Sequence, residues 1–243
     1  MKPYYETELG KLYHGDCLDI LPQITDKIDL CVTSPPYNTG GSSINKSIGQ
    51  YYDVYSDNMN DDDYLVFNIN VISNLIKMSR YVCYNMQMLT KNKSTIIELL
   101  YHFKNNLKDI FIWKKQAVAQ IVKGKMATGY ENVYIFGKDN SMVFDYNNFP
   151  DNNYVPNIRT YTKKDKIKCH HATFPVDLPD YFIGNLTKKG DVILDPFMGS
   201  GTTAVACEKL GRKWIGIEMS KNYCDETIRR FEIERTQNKF DFV

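Results

Sequence analysis

The sequence predicts an α/β fold with a mostly parallel, twisted sheet, helices on both faces and an antiparallel hairpin on its C-terminal side. Three observations carry that reading. Strand-like apolar runs alternate with helix-period stretches along most of the chain. One of those runs, DVILDPF, passes through a glycine turn, MGSGTT, straight into the helical stretch AVACEKLG, which is how open parallel sheets present a ligand-binding edge. A length of 243 residues with 43% apolar content suffices for one sizeable core and is short for two.

The first strand-like run is IDLCVT, ending at Thr33. Apolar residues at helical spacing from Tyr64 to Met78 predict a helix, RYVCYNM a second strand, Lys93 to about Asn105 a polar helix, and DIFIWKK a third strand. ENVYIFGK and SMVFDY lie close enough to form a hairpin, with Lys138, Asp139 and Asn140 supplying turn chemistry. From Tyr146 to Lys168 the chain is polar and aperiodic, an excursion of functional length. After Val176 the pattern sharpens: helix LPDYFIGNL, strand DVILDPF, the glycine turn with Thr202 or Thr203 capping helix AVACEKLG, strand KWIGIEMS, and a helix from Asn222 to about Gln237. The organisation expected is a single domain, 1–243, with a small insertion at about 139–169 and a mobile loop at about 39–60.

Thirty basic and 29 acidic residues give a formal charge of +1, which neither demands nor excludes a nucleic-acid partner. The six cysteines are scattered, with no CxxC pair and no matching histidine spacing, so neither a disulfide frame nor a zinc site is expected. No apolar run approaches the roughly eighteen residues of a membrane span, and the opening MKPYYETELG lacks the layout of a signal peptide. The expected location is the cytoplasm. The tryptophans Trp113 and Trp214 lie in strand-like runs and read as core.

Two stretches carry chemistry. In TSPPYN, residues 33–38, the consecutive prolines fix φ near −65° and remove two N–H donors, leaving a stiff row of carbonyl acceptors that ends in an aromatic ring. Such a rail suits a flat substrate with an NH group to hold and a face to stack. In DPFMGSGTT, Gly199 and Gly201 follow Asp195 and let a ligand approach the backbone. About twenty residues on, Glu218 ends a strand where an acid can accept from ribose hydroxyls. A phosphate-binding P-loop does not fit, because its lysine is missing, and the dinucleotide fingerprint fails at its third glycine. Asp195 would repel a pyrophosphate and attract an ammonium or sulfonium cation.

With both stretches in hand, the sequence resembles the amino-specific DNA methyltransferases of the permuted β class, in which the PPY motif precedes the cofactor motif. TSPPY is similar to their catalytic motif and DPFMGSGTT to their cofactor loop. HGDCLDIL resembles the element whose acid, here Asp16, holds the adenine amine of S-adenosylmethionine. GYENVYIFGK resembles the strand that flanks the base pocket, CHHATFP the segment that closes over the cofactor, and IGIEMSKNYCDETIRR the acid-bearing strand and its helix. In CHHATFP, His171 and Thr173 stand where proline is common. Together these segments span Gly15 to Arg230.

The resemblance implies a Rossmann-like, S-adenosylmethionine-dependent methyltransferase fold, methyl transfer to N4 of cytosine or N6 of adenine in a flipped base, and double-stranded DNA as partner. A second subunit and a cognate restriction endonuclease are further partners it raises. It assigns the catalytic role to Ser34, Pro35, Pro36 and Tyr37. The cofactor would lie against Asp16, Cys17, His170, Ala172, Thr173, Phe174, Asp195, Pro196, Phe197, Gly199, Ser200, Gly201, Thr202, Glu218 and Met219, with no metal. Ser34 and the Pro35 carbonyl would accept the amine hydrogens and Tyr37 would stack on the base, so Tyr37→Phe should be milder than Tyr37→Ala. Ser34 favours cytosine, whereas Asn38 after the tyrosine is a signal for adenine. DNA contacts are expected from the loop Thr39–Asn60, the segment Lys114–Lys125 and the lysines Lys163, Lys164, Lys166 and Lys168. Two remoter readings are a nicotinamide-dependent oxidoreductase, opposed by the missing third glycine, and a catalytically silent DNA-binding relative, opposed by the presence of Ser34, Pro35, Tyr37, Asp195 and Glu218.

Overall fold

The computed structural model of the chain describes residues 1–39, 57–115, 128–138, 144, 155–161 and 175–240. In chain order its strands are β1 (Tyr5–Glu6), β2 (Gly10–His14), β3 (Ile28–Thr33), β4 (Ser79–Met86), β5 (Leu107–Lys115), β6 (Tyr130–Gly137), β7 (Ile158–Tyr161), β8 (Val192–Asp195) and β9 (Lys213–Glu218). The helices are α1 (Cys17–Ile20), α2 (Asp61–Met78), α3 (Lys93–His102), α4 (Asp177–Leu186), α5 (Thr202–Leu210) and α6 (Lys221–Phe240).

These strands form one sheet in the order β1-β2-β9-β8-β3-β4-β6-β5-β7. β2, β9, β8, β3 and β4 run parallel. The sheet is covered on both faces, which is why β3 reads as an unbroken apolar run with no alternation. Leu30 and Val32 pack with Leu178, Phe182, Ala204 and Phe231 of α4, α5 and α6. Cys31 between them turns to the other face, with Tyr64, Val71, Leu75, Ile96 and Leu99 of α2 and α3. Trp113 and Trp214 are both buried.

Local chemistry sets the helix starts. Asn60 caps α2 by accepting from Asp63 N, and Asp61, Asp62 and Asp63 complement the helix dipole in its first turn. α5 begins differently from the sequence expectation: its cap is Gly201 at φ 83°, and Thr202 and Thr203 are already helical. Thr203 is diverted because its hydroxyl donates to Asp195 Oδ2 at 2.6 Å.

The antiparallel hairpin exists with a different partner. β6 pairs antiparallel with β5 on one side and with β4 on the other, from Tyr130 to Gly137. Both edges of ENVYIFG are thus filled, and SMVFDY, apart from Phe144, lies outside the described residues. Within the insertion, Ile158–Tyr161 adds β7 parallel to β5, an edge strand that the polar, aperiodic sequence did not announce. β1 and β2 were also not legible, being short and half polar. β2 gains its place from pairing with β9, where Gly10 lies flat against the Trp214 ring.

Candidate active site

The carboxyl ends of β2, β9, β8, β3 and β4 fall on one edge of the sheet, and β6 starts there because it runs the other way. Reading along that edge, the chain presents Asp16, Glu218, the glycine turn, Ser34, Asn85 and Glu131. A single carboxylate joins the middle of the row. Asp195 is 1% exposed and accepts from Thr33 Oγ1 at 2.6 Å, Thr203 Oγ1 at 2.6 Å and Phe197 N at 3.0 Å. Burial pushes its carboxyl up to about 6, against the opposing pull of these three donors. Its charge is directed into the fold, between the PPY loop and the glycine turn.

On the glycine side, Gly199 and Gly201 hold φ of 54° and 83°. A Cβ on Gly201 would stand 2.6 Å from Thr227 Cγ2, so the turn needs glycine twice over. Glu218 accepts from Gly199 N at 2.7 Å and from Ser220 N at 2.8 Å. From α6, Thr227 donates to Gly199 O at 3.1 Å and Arg230 to Ser200 O at 2.7 Å. Beyond β9, Gly15 N donates to Glu218 O at 2.9 Å, and Asp16 caps α1 by accepting from Leu18 N at 2.8 Å. Cys17 beside it is buried, and desolvation pushes its thiol up to about 12.

On the other side, the PPY loop is held by side chains. Tyr64 OH donates to Pro36 O at 2.7 Å and Asn92 Nδ2 to Tyr37 O at 2.8 Å. Among the described residues no side chain donates to the Pro35 carbonyl. Ser34 and Tyr37 are half-buried, and their oxygens lie 3.0 Å apart. Tyr37 OH donates to Glu131 Oε2 at 2.9 Å and accepts from Asn85 Nδ2 at 2.8 Å. Asn85 Nδ2 also donates to Glu131 Oε2 at 2.9 Å, and Lys115 Nζ pairs with Glu131 Oε1 at 2.8 Å.

Residues 28–229 match the DNA methylase family of N6 and N4 methyltransferases. The chain belongs to that family. It is 28% identical to the type II methyltransferase M.BamHI of Bacillus amyloliquefaciens over 98% of its own length, which is 60% of the length of that relative. With M2.DpnII of Streptococcus pneumoniae the identity is 25%, over 98% of this chain and 95% of the other. Among solved structures, the PvuII DNA methyltransferase (cytosine-N4-specific) superposes with a TM-score of 0.77 at 22% identity, covering 95% of this chain and 89% of that one.

The edge from β2 to β8 fits S-adenosylmethionine, the cofactor expected from the sequence: acids at two strand ends, a turn without Cβ atoms and a half-buried Phe197. Of the residues assigned to it by sequence, Asp16, Cys17, Asp195, Pro196, Phe197, Gly199, Ser200, Gly201, Thr202, Glu218 and Met219 gather on this edge. His170, Ala172, Thr173 and Phe174 lie outside the described residues, as do 40–56, 116–127 and the lysines at 163, 164, 166 and 168. Lys115, from a segment expected to meet DNA, is turned instead toward Glu131. Sequence reasoning named neither Asn85 nor Glu131 as a site residue and gave Lys115 a different role. A signal existed for Glu131, an acid inside the apolar run YENVYIF, because a carboxylate in a buried strand needs a partner. Among the described residues no cluster of three or more His, Cys, Asp or Glu is placed to hold a metal ion, and no helix is long and apolar enough to cross a membrane.

Proposed function

We propose that this methyltransferase acts on double-stranded DNA, on the exocyclic amine of a base turned out of the duplex, with N4 of cytosine as its target. One observation carries the reading: the TSPPY loop and the glycine turn leave adjacent parallel strands, β3 and β8, and share the Asp195 carboxylate. Neighbouring strands are about 4.8 Å apart. A base on one loop and a methyl donor on the other therefore lie close to the roughly 3–3.5 Å needed for attack. When bound, S-adenosylmethionine would supply an electrophilic methyl on a sulfonium. The nitrogen that gains it must shed one of its two hydrogens as a proton, which passes to solvent.

The chain's own residues prepare the nitrogen. An exocyclic amine is a poor nucleophile because its lone pair is delocalised into the ring. Ser34 Oγ and the Pro35 carbonyl accept its two hydrogens, which favours a pyramidal nitrogen with its lone pair directed at the methyl. Tyr37 stacks on the base. Turning the base out of the duplex costs a few kcal/mol, and stacking returns about 1–3 kcal/mol of it.

Two features support cytosine over adenine. Position 34 is serine, and the PvuII enzyme that shares the fold is named as cytosine-N4-specific. The opposing signal, Asn38, has a structural explanation. It sits at φ 56°, which asparagine tolerates better than most residues, and its side chain bonds Met59 N at 2.8 Å and Met59 O at 3.0 Å. Its asparagine is thus required by the backbone whichever base is bound. Nuclease digestion of DNA methylated by the protein, followed by mass spectrometry, is expected to yield N4-methyldeoxycytidine; methylated deoxyadenosine without it would overturn the choice of base. A second subunit and a cognate restriction endonuclease complete the proposal, the latter because the relatives carry type II names.

A further inference from the structure

We propose that Glu131 is a positioning residue that fixes the polarity of the Ser34 hydroxyl, so that Ser34 meets the substrate amine with lone pairs and not with its proton. The inference rests on the amino-methyltransferase reading of Ser34 and follows from counting protons along a chain of hydrogen bonds. Glu131 is 8% exposed, and the Lys115 ammonium stands 2.8 Å from Oε1, so Oε2 acts as an acceptor. That choice propagates. Asn85 must present its NH₂ to Oε2, and Tyr37 must give its one hydroxyl proton to the same oxygen, at 2.9 Å each. The Tyr37 oxygen then accepts from Asn85 Nδ2 at 2.8 Å. Toward Ser34, 3.0 Å away, it again presents a lone pair, so the Ser34 proton is the one between them. A serine left to itself rotates freely between donating and accepting. Here the direction is set by a carboxylate on another strand, with Tyr37 standing between it and Ser34.

The same count shows what an isosteric amide would do. In Glu131→Gln the ammonium of Lys115 draws the amide oxygen to itself, and the NH₂ faces Tyr37. Asn85, whose NH₂ would then face another NH₂, turns its oxygen toward Gln and Tyr37, so the Tyr37 proton goes either to that oxygen or to Ser34. Volume and packing are kept while the Ser34 hydroxyl loses its fixed direction and can turn its proton against the amine hydrogens.

The test is a double-mutant cycle with Ser34→Ala, Glu131→Gln and the pair, using the full chain, tritiated S-adenosylmethionine and unmethylated genomic DNA, with cofactor affinity measured by calorimetry. Glu131→Gln is expected to lower the single-turnover rate by about 10–100-fold, the size of one charge-assisted hydrogen bond, at unchanged cofactor affinity. In the Ser34→Ala background it is expected to lower the rate no further, because there is no hydroxyl left to orient. Replacing Lys115 by Met in Glu131→Gln should restore part of the rate, since the amide oxygen can then turn to Tyr37. Near-parental turnover of Glu131→Gln, or a loss that multiplies with that of Ser34→Ala, overturns the proposal. Should Glu131→Gln lose cofactor binding through misfolding, Tyr37→Phe replaces it in the cycle, with the same expected dependence on Ser34. A parent that binds S-adenosylmethionine but transfers no methyl to DNA overturns the underlying reading, and the proposal with it.

Discussion

The loop after β3 and the turn after β8 leave neighbouring strands, yet they are held in opposite ways. The PPY loop is stiff in its backbone and is tied by side chains arriving from outside: Tyr64 on Pro36, Asn92 and Glu131 on Tyr37, and Asp57 on Asn38 N at 2.7 Å. The glycine turn is permissive in its backbone and is tied mostly through its own amides and carbonyls, to Glu218, Thr227 and Arg230. The difference follows from what each must present. A base amine needs acceptors in fixed directions, which prolines and an oriented hydroxyl provide. A cofactor needs close approach to main chain, which only residues without a Cβ allow. Damage to the first loop should therefore appear in turnover, and damage to the second in affinity and stability.

The largest effect is expected from Tyr37→Ala. It removes a stacking face worth about 1–3 kcal/mol and takes one hydrogen bond each from buried Asn85 and Glu131, at a further 1–3 kcal/mol or so. Single-turnover methylation should fall by at least about 100-fold while calorimetry shows parental cofactor affinity. If affinity fell in step with turnover, the division between the loops would be wrong. Tyr37→Phe should also be clearly impaired, because the hydroxyl has three partners that the sequence gave no sign of.

Gly201→Ala comes next. The left-handed φ of 83° and the contact with Thr227 predict a loss of roughly 2–5 kcal/mol in stability, read by thermal unfolding. Glu218→Ala should weaken S-adenosylmethionine by about 1.5–3 kcal/mol, with a smaller change in the rate at saturating cofactor. Parental affinity in that variant would remove Glu218 from the binding edge.

The last prediction concerns the strut between the two loops. Asp195 titrates near 6 in the fold, above its ordinary value of 3.8, chiefly because burial disfavours its charge. The folded chain thus holds this proton more tightly than the unfolded chain. Ionisation between about pH 4 and 6 costs stability on the order of 1–3 kcal/mol, and the cost is fully present above that window. Melting curves of the parent should fall across this range relative to Asp195→Asn, and the two should run parallel above pH 7. A difference that stayed constant from pH 4 to 7 would contradict the raised value.

Much of this was legible in the chain because the parallel strands are buried on both faces and leave continuous apolar runs, and because prolines and glycines mark both loops. What escaped was non-local. β2 is a strand by virtue of β9, and β7 by virtue of β5, so neither has its own signal. The hairpin partner of β6 was misjudged because sequence proximity favoured SMVFDY, whereas the edges go to β4 and β5. Glu131 lies 94 positions from Tyr37, and no local pattern records that they meet.

One feature of the sheet bears on how the molecule is made. β2 and β3 are consecutive in the chain, but β9 and β8 lie between them, in a gap three strand spacings wide, about 14 Å. Thr33 and Asp195 are separated by 162 positions, so at about 5–20 residues per second a ribosome delivers β8 roughly 10–30 s after β3. Throughout that interval the inner edge of β3, with Leu30, Cys31 and Val32, has no native partner, and unpaired apolar edges recruit other chains. The nascent protein must keep a slot open until its last two strands arrive, which makes slower growth at low temperature or a strand-shielding chaperone the natural remedies for poor yield.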